Sequence, residues 1–170
     1  MEIVSKFVIG SDQGVSDFLS IKKQSFISLH KDFVTEKKIN AYIEEHFDER
    51  KIINELNDLS NQLIITYQDD IPVAYCLLKG GSMNPVFDKE KRMTEIDFVI
   101  LPEYDSLEVR NSLYTKFISA AKFTDIVWIN ILEHNFLSEF FLNKNFKFIE
   151  NSVSTEFSLP ASILSFEIIR

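Results

Sequence analysis

Cysteine occurs once in this sequence, at position 76, so no disulfide can close within the chain. Cys76 lies in the apolar run AYCLL, which marks it as a buried structural thiol and not a nucleophile. Glycine and proline are equally scarce, four of each, and this argues against linkers, repeats and low-complexity segments. Cations are outnumbered, 18 Lys and Arg against 26 Asp and Glu, and the net charge of −8 would repel a phosphate backbone. No basic stripe overrides that repulsion, so nucleic acid is excluded as a partner and a cationic small molecule is favoured. Long apolar runs are missing too, and MEIVSKFVIG lacks the basic and apolar segments of a signal peptide. The reading is a soluble cytoplasmic protein with no membrane partner.

Apolar residues are plentiful: 45% of the 170 residues, sixteen of them Phe, suffice for one well-buried core, and residues 1–170 read as a single domain. Glu2 to Ile9 suits an edge strand ended by Gly10. Asp12 to Leu29 reads as a helix burying Val15, Phe18, Leu19, Phe26 and Leu29. Thr35 and Asp48 are the expected N-caps of two short helices, because each side-chain oxygen can accept from a first-turn N–H. His30, Lys31, Asp32, His46 and Asp48 gather near the junctions. Their spacing does not suit a metal, and they read as caps and solvated loop residues. Gln62 to Tyr67 and Val73 to Leu78 form a hairpin turning at Asp69 and Asp70, and the charged stretch Lys89 to Arg92 is a solvated loop.

The central stretch is Thr94 to Lys122. Ile96, Phe98, Val99, Ile100 and Leu101 make a buried strand that stops at Pro102. Leu113, Tyr114, Phe117, Ile118 and Ala121 then recur at three- and four-residue spacing on one helix face. Glu95 and Asp97, two apart on the strand, share a face and are candidate general bases; pairing with cations of the Lys89 to Arg92 loop is the competing role. Ile126 to Leu132 is an inner strand with Trp128 in the core or on a cleft wall, and Asn135 to Asn143 a short helix. Two strands close the chain, Phe146 to Leu159 and Ile163 to Ile169, turning at Pro160. Their aromatic residues suit either the core or the surface of a homodimer. The fold class is mixed α/β, with a mixed, mostly antiparallel central sheet flanked by helices.

Three segments in this order, FVILPEY, VWINILEHN and FFLNKNFKF, resemble the GCN5-related N-acetyltransferases, and the resemblance covers nearly the whole chain. It implies a single-domain acyl-coenzyme A N-acyltransferase fold, with acetyl-coenzyme A as cofactor and direct transfer to the amine of a small molecule; some small bacterial members acetylate polyamines. Val99, Ile100 and Leu101 would then offer backbone groups to the pantetheine arm. Ser106, Leu107, Glu108, Val109 and Arg110 would face the pyrophosphate at a helix start, where unpaired N–H groups and the helix dipole favour anions. Asn135 corresponds to the Asn that opens the helix after the fifth strand.

The resemblance has gaps. In the phosphate loop the two glycine positions hold Glu108 and Arg110, and Asp105 with Glu108 forms a capping-box-like pair, which predicts a helix start that caps itself. The Tyr that often protonates the leaving thiolate is replaced by Phe141 or, with a one-residue shift, Leu142. Asn145 stands for a glycine and tolerates a left-handed conformation. Two readings stay open: an acetyltransferase with an altered loop, and a catalytically inactive binding or regulatory module on the same fold.

Overall fold

The computed structural model describes residues 1–169. In chain order the elements are β1 (Ile3–Val8), α1 (Asp12–His30), α2 (Glu36–His46), α3 (Glu49–Asn57), β2 (Asn61–Gln68), β3 (Ile71–Gly80), β4 (Met93–Ile100), α4 (Leu107–Ala120), β5 (Ile126–Leu132), α5 (Ser138–Asn143), β6 (Lys147–Val153) and β7 (Pro160–Glu167). The strands form one mixed sheet in the order β1-β2-β3-β4-β5-β7-β6. β1 runs antiparallel to β2, and β7 antiparallel to both β5 and β6, whereas β4 and β5 are parallel. The contacts divide the chain into two compact units, residues 1–78 with 97–120, and residues 79–96 with 121–169.

The first unit is built on local signals that the chain states plainly. Ser11, Thr35 and Asp48 cap the three N-terminal helices by accepting from Gly14, Lys38 and Arg50 N–H. Asp69 and Asp70 turn the β2–β3 hairpin with φ of 50° and 67°, the left-handed pair that matches strand twist. One sheet face buries Val15, Phe18, Leu19 and Ile21 of α1 and Ile52 of α3 against Leu63, Ile65, Tyr75, Leu77 and Leu101. On α4, Val109, Leu113 and Phe117 are fully buried, and Phe117 meets Phe98 edge-on at 6.3 Å. Ser5 of β1 links α4 to the sheet through Ser112 and Thr66 hydroxyls, each at 2.7 Å.

His30 departs from the expected solvated junction. It is buried at the end of α1, with Nδ1 2.7 Å from Phe26 O and its ring against Phe26. Cys76 is buried as expected, and burial pushes its thiol up.

In the second unit, β4 and β5 pair over Met93 to Glu95 and Ile126 to Trp128. Met93, Ile126, Trp128 and Ile163 pack together, and Trp128 Nε1 donates to Ser82 O at 3.0 Å. Another cluster joins Phe141 to Phe146 at 5.0 Å and Phe146 to Phe166 at 5.4 Å. The final turn is displaced from its expected place. Pro160 does not turn the chain; it is the first residue of β7, opposite Val153. The reversal lies earlier, where Ser154 Oγ accepts from Leu159 N–H and Ser158 takes φ 53°. A proline needs no ladder donor at the first position of a strand, which is why it is tolerated there.

Candidate functional site

Strand β4 alternates: Ile96, Phe98 and Ile100 are buried, while Glu95, Asp97 and Val99 are half-buried. The two candidate carboxylates therefore lie on one strand face. Asp97 is held by a residue that the sequence reading missed. The hydroxyl of Tyr75, in β3, donates to Asp97 Oδ2 at 2.6 Å. Tyr75 is buried, with its ring stacked on Phe18 at 4.7 Å. Burial, and then the charges of Asp97 and Glu55, push the phenol well above its ordinary range, so it remains a protonated donor. Among the described residues nothing else donates to the Asp97 carboxylate, and Oδ1 has no partner. The competing role fails for Asp97. Arg92, the cation nearest in sequence, instead binds Asp125 through backbone N–H at 2.8 Å and guanidinium at 3.3 Å.

Beyond β4 the chain makes one 3₁₀ turn over Pro102–Tyr104. That turn uses Leu101. Its N–H donates to Val73 O at 3.0 Å and its carbonyl accepts from Tyr104 N–H at 2.9 Å. Leu101 N–H is thus committed to β3, while its carbonyl keeps a second lone pair.

The helix start differs from the expected self-capped pair. Ser106 is the cap: its Oγ accepts from Val109 N–H at 3.1 Å and its carbonyl from Arg110 N–H at 3.0 Å. Glu108 lies on the second helical position and is exposed, one residue short of where a capping box would need it. Asp105 precedes the cap and binds Arg110 by two hydrogen bonds, Nε to Oδ1 at 2.6 Å and Nη2 to Oδ2 at 2.8 Å. The hydrogen bonds to Asp105 raise the Arg110 pKa further. Leu107 and Glu108 N–H have no partner among the described residues. Val109 faces the core with its side chain fully buried, so only its backbone could meet a ligand.

In the second unit, Asn135 does not cap a helix directly. Its Oδ1 accepts from Leu137 N–H at 2.9 Å, a local turn that precedes the six-residue α5. Phe141 is fully buried among Phe140 and Phe146, and Leu142 is exposed. Neither side chain has a proton to give. Asn145 takes φ 69°, the conformation expected of a glycine replacement. Among the described residues no three His, Cys, Asp or Glu groups gather as for a metal, and no helix is long and apolar enough to cross a membrane.

The one signal for Tyr75 in the sequence is a lone hydroxyl in the otherwise apolar run VAYCLL, but its partner cannot be read there. β3 buries six consecutive residues, Val73 to Leu78, so periodicity does not tell which face a polar group takes.

No protein-family model and no curated protein matches the sequence. Solved structures do match, over nearly the full length. The PaiA N-acetyltransferase of Thermoplasma acidophilum, in complex with coenzyme A, superposes with a TM-score of 0.71 at 17% identity, covering 99% of this chain and 100% of the other. A GCN5-related N-acetyltransferase of Rhodopseudomonas palustris gives 0.69 at 13% identity, over 99% and 97%. FeeM, an N-acyl amino acid synthase from uncultured soil microbes, gives 0.68 at 12%, over 98% and 91%. At these identities the likeness is one of fold.

Proposed function

We propose that this chain, which has the fold of the GCN5-related N-acetyltransferases, transfers an acetyl group from acetyl-coenzyme A directly to the amine of a small, cationic molecule. The observation that carries the reading is the start of α4. It follows the carboxylate-bearing strand after one turn and keeps the Leu107 and Glu108 N–H groups unpartnered. Two open amides at the positive end of a fourteen-residue helix fit an anionic phosphate. Val109 N–H becomes a third if the ligand displaces Ser106 Oγ. Arg110 does not add a free cation, because Asp105 already neutralises it.

Backbone groups of Val99, Ile100 and Leu101 would hold the pantetheine arm. When bound, the thioester supplies an electrophilic carbonyl and a thiolate leaving group. The chain's part begins with the amine, which arrives as an ammonium attracted by a net charge of −8 and gives one proton to solvent. A carboxylate of β4, Glu95 or Asp97, takes the second N–H proton as the new C–N bond forms. With Phe141 buried, the chain itself offers no acid at that position, and the proton for the thiolate would come from water.

A second reading is favoured by Glu108 and Arg110 at the two glycine positions and by Phe141: a binding or regulatory module that has given up catalysis. Titration calorimetry with acetyl-coenzyme A, followed by a thiol-release assay over primary amines and polyamines, separates the two. Saturable heat and amine-dependent thiol release support the transferase. At a hundred times Kd, binding adds about 2.7 kcal/mol of stability, so absence of both heat and thermal stabilisation at millimolar ligand sinks it.

A further inference from the structure

We infer that Asp97, and not Glu95, is the general base, and that Tyr75 is the residue that positions it. The inference rests on the transferase reading and sharpens it. A carboxylate on a strand can rotate about two side-chain bonds, and a base must present one lone pair to the amine nitrogen at hydrogen-bond range. Asp97 has that choice made for it. Tyr75 takes Oδ2 at 2.6 Å, which leaves Oδ1 as the carboxylate oxygen with no partner among the described residues.

The donor is itself immobile. The Tyr75 ring is buried in the core formed by α1, α3 and the sheet, and it stacks on Phe18 at an interplanar angle of 28°. The phenol is also a neutral donor that stays protonated through the working pH range, so it orients Asp97 without cancelling its negative charge. A lysine or arginine in its place would neutralise the carboxylate and repel the ammonium substrate. In the proposed step the amine N–H bond breaks toward Asp97 Oδ1 while the nitrogen lone pair forms the C–N bond; Tyr75 keeps its proton throughout.

A second phenol–carboxylate pair in the same unit provides the control. Tyr67 donates to Asp17 Oδ2 at 2.7 Å, but Gln13 Nε2 takes Asp17 Oδ1 at 2.7 Å, so both oxygens of this carboxylate are engaged within the protein and neither is left without a partner. Removing the Tyr67 hydroxyl is a loss of structure only.

The test is a double-mutant cycle read as kcat and KM on the full chain, with Tyr75→Phe, Asp97→Asn, their combination, and Tyr67→Phe. Misplacing a catalytic group by about 1 Å costs roughly 100-fold, so Tyr75→Phe is expected to lower kcat between 10- and 100-fold with KM little changed. In the Asp97→Asn background the same substitution is expected to cost nothing further, and Tyr67→Phe to leave kcat unchanged. In the unliganded protein, proton NMR is expected to show a slowly exchanging, downfield Tyr75 hydroxyl that Tyr75→Phe abolishes and Asp97→Asn shifts upfield. Equal losses from Tyr75→Phe in both backgrounds, or a hydroxyl signal indifferent to Asp97→Asn, would overturn the inference while the transferase reading stood. Loss of turnover with Glu95→Gln but not Asp97→Asn would assign the base to Glu95 instead. A wild-type protein that turns over no amine overturns the transferase reading and this inference with it.

Discussion

Arg110 clamps Asp105 across the start of α4, with Nε and Nη2 each donating to one carboxylate oxygen at 2.6 and 2.8 Å. Both side chains are about three-quarters buried, 24% and 22% exposed. The clamp converts what the sequence shows as a separate cation and anion near the proposed phosphate site into one internally neutral group.

Arg110→Ala should therefore weaken acetyl-coenzyme A binding although Arg110 is no free phosphate ligand, because it leaves Asp105 as an unpaired negative charge beside the helix start. Two charges about 8 Å apart in water interact by roughly 0.5 kcal/mol, so a doubly charged phosphate group would lose about fivefold in affinity. Asp105→Asn with Arg110→Ala should restore most of it. Calorimetric Kd values for the two variants check this.

Ser106→Ala and Glu108→Gln should separate capping from charge. Ser106 is the residue that accepts from Val109 N–H, and its loss is expected to cost about 1 kcal/mol of stability. Glu108 accepts no first-turn N–H, so Glu108→Gln should cost only about 0.5 kcal/mol, from its favourable position at the helix N-terminus, while tightening acetyl-coenzyme A binding severalfold. Urea unfolding and calorimetry on the same samples give both quantities, and equal stability losses in the two variants would contradict the cap assignment.

Gly14→Ala should destabilise, against the usual sign for a helix glycine. An added Cβ would sit 2.2 Å from Ile9 O and 2.7 Å from Val8 Cγ1, and the first of these is backbone that cannot turn aside. The ordinary helical gain of about 0.5–1 kcal/mol is outweighed by an overpacking cost of about 1–3 kcal/mol. A midpoint in urea equal to or above that of the parent would refute the close approach of α1 to the end of β1.

Alkaline titration should unfold the protein before all its tyrosines ionise. Burial raises Tyr114 to about 12, and Tyr67 and Tyr75 are held higher still by burial and by Asp17 and Asp97. A folded-state pKa above the unfolded value of about 10 means that the native chain binds more protons in between. Their contribution to stability is thus fully present below about pH 10 and is lost as pH rises toward the folded values. Absorbance at the phenolate band should show fewer than five ionising tyrosines before the cooperative transition, and Tyr75→Phe should leave that early amplitude unchanged.

Unfolding should be a single transition, as expected for one domain. The chain passes between the two compact units after residues 78, 96 and 120. Helices α1 to α4 belong to one unit and Trp128 to the other, so far-ultraviolet circular dichroism and tryptophan fluorescence report them separately. Coincident urea curves are the expected result, and separated midpoints would show two domains.

Much of this was legible from residue order because its causes are local. Thr35 and Asp48 announce their helices through a hydroxyl or carboxylate within reach of a first-turn N–H, and Asp69 with Asp70 announces a hairpin through tolerance of positive φ. Ile126 to Leu132 bounded β5 to the residue. The misreadings lie where two local solutions compete. At the start of α4 both Asp105 and Ser106 are competent caps, and the choice fell to Ser106 because Arg110, five residues on, claims Asp105. Near Pro160 a proline can either turn a chain or begin a strand, and pairing with Val153 decided it.

The sequence by itself determined the composition of the core, the order of the elements, the two carboxylates on β4 and the likeness to an acetyltransferase fold, since each follows from side-chain chemistry and short-range spacing. Only the tertiary structure decided that Tyr75 grips Asp97, that Leu101 N–H is committed to Val73, and that Arg110 is already taken by Asp105. Tyr75 and Asp97 are 22 residues apart, and Val73 of β3 is far along the chain from Leu101, just past β4; such partners meet through sheet assembly, and no periodicity along the chain encodes which polar group a strand turns toward its neighbour.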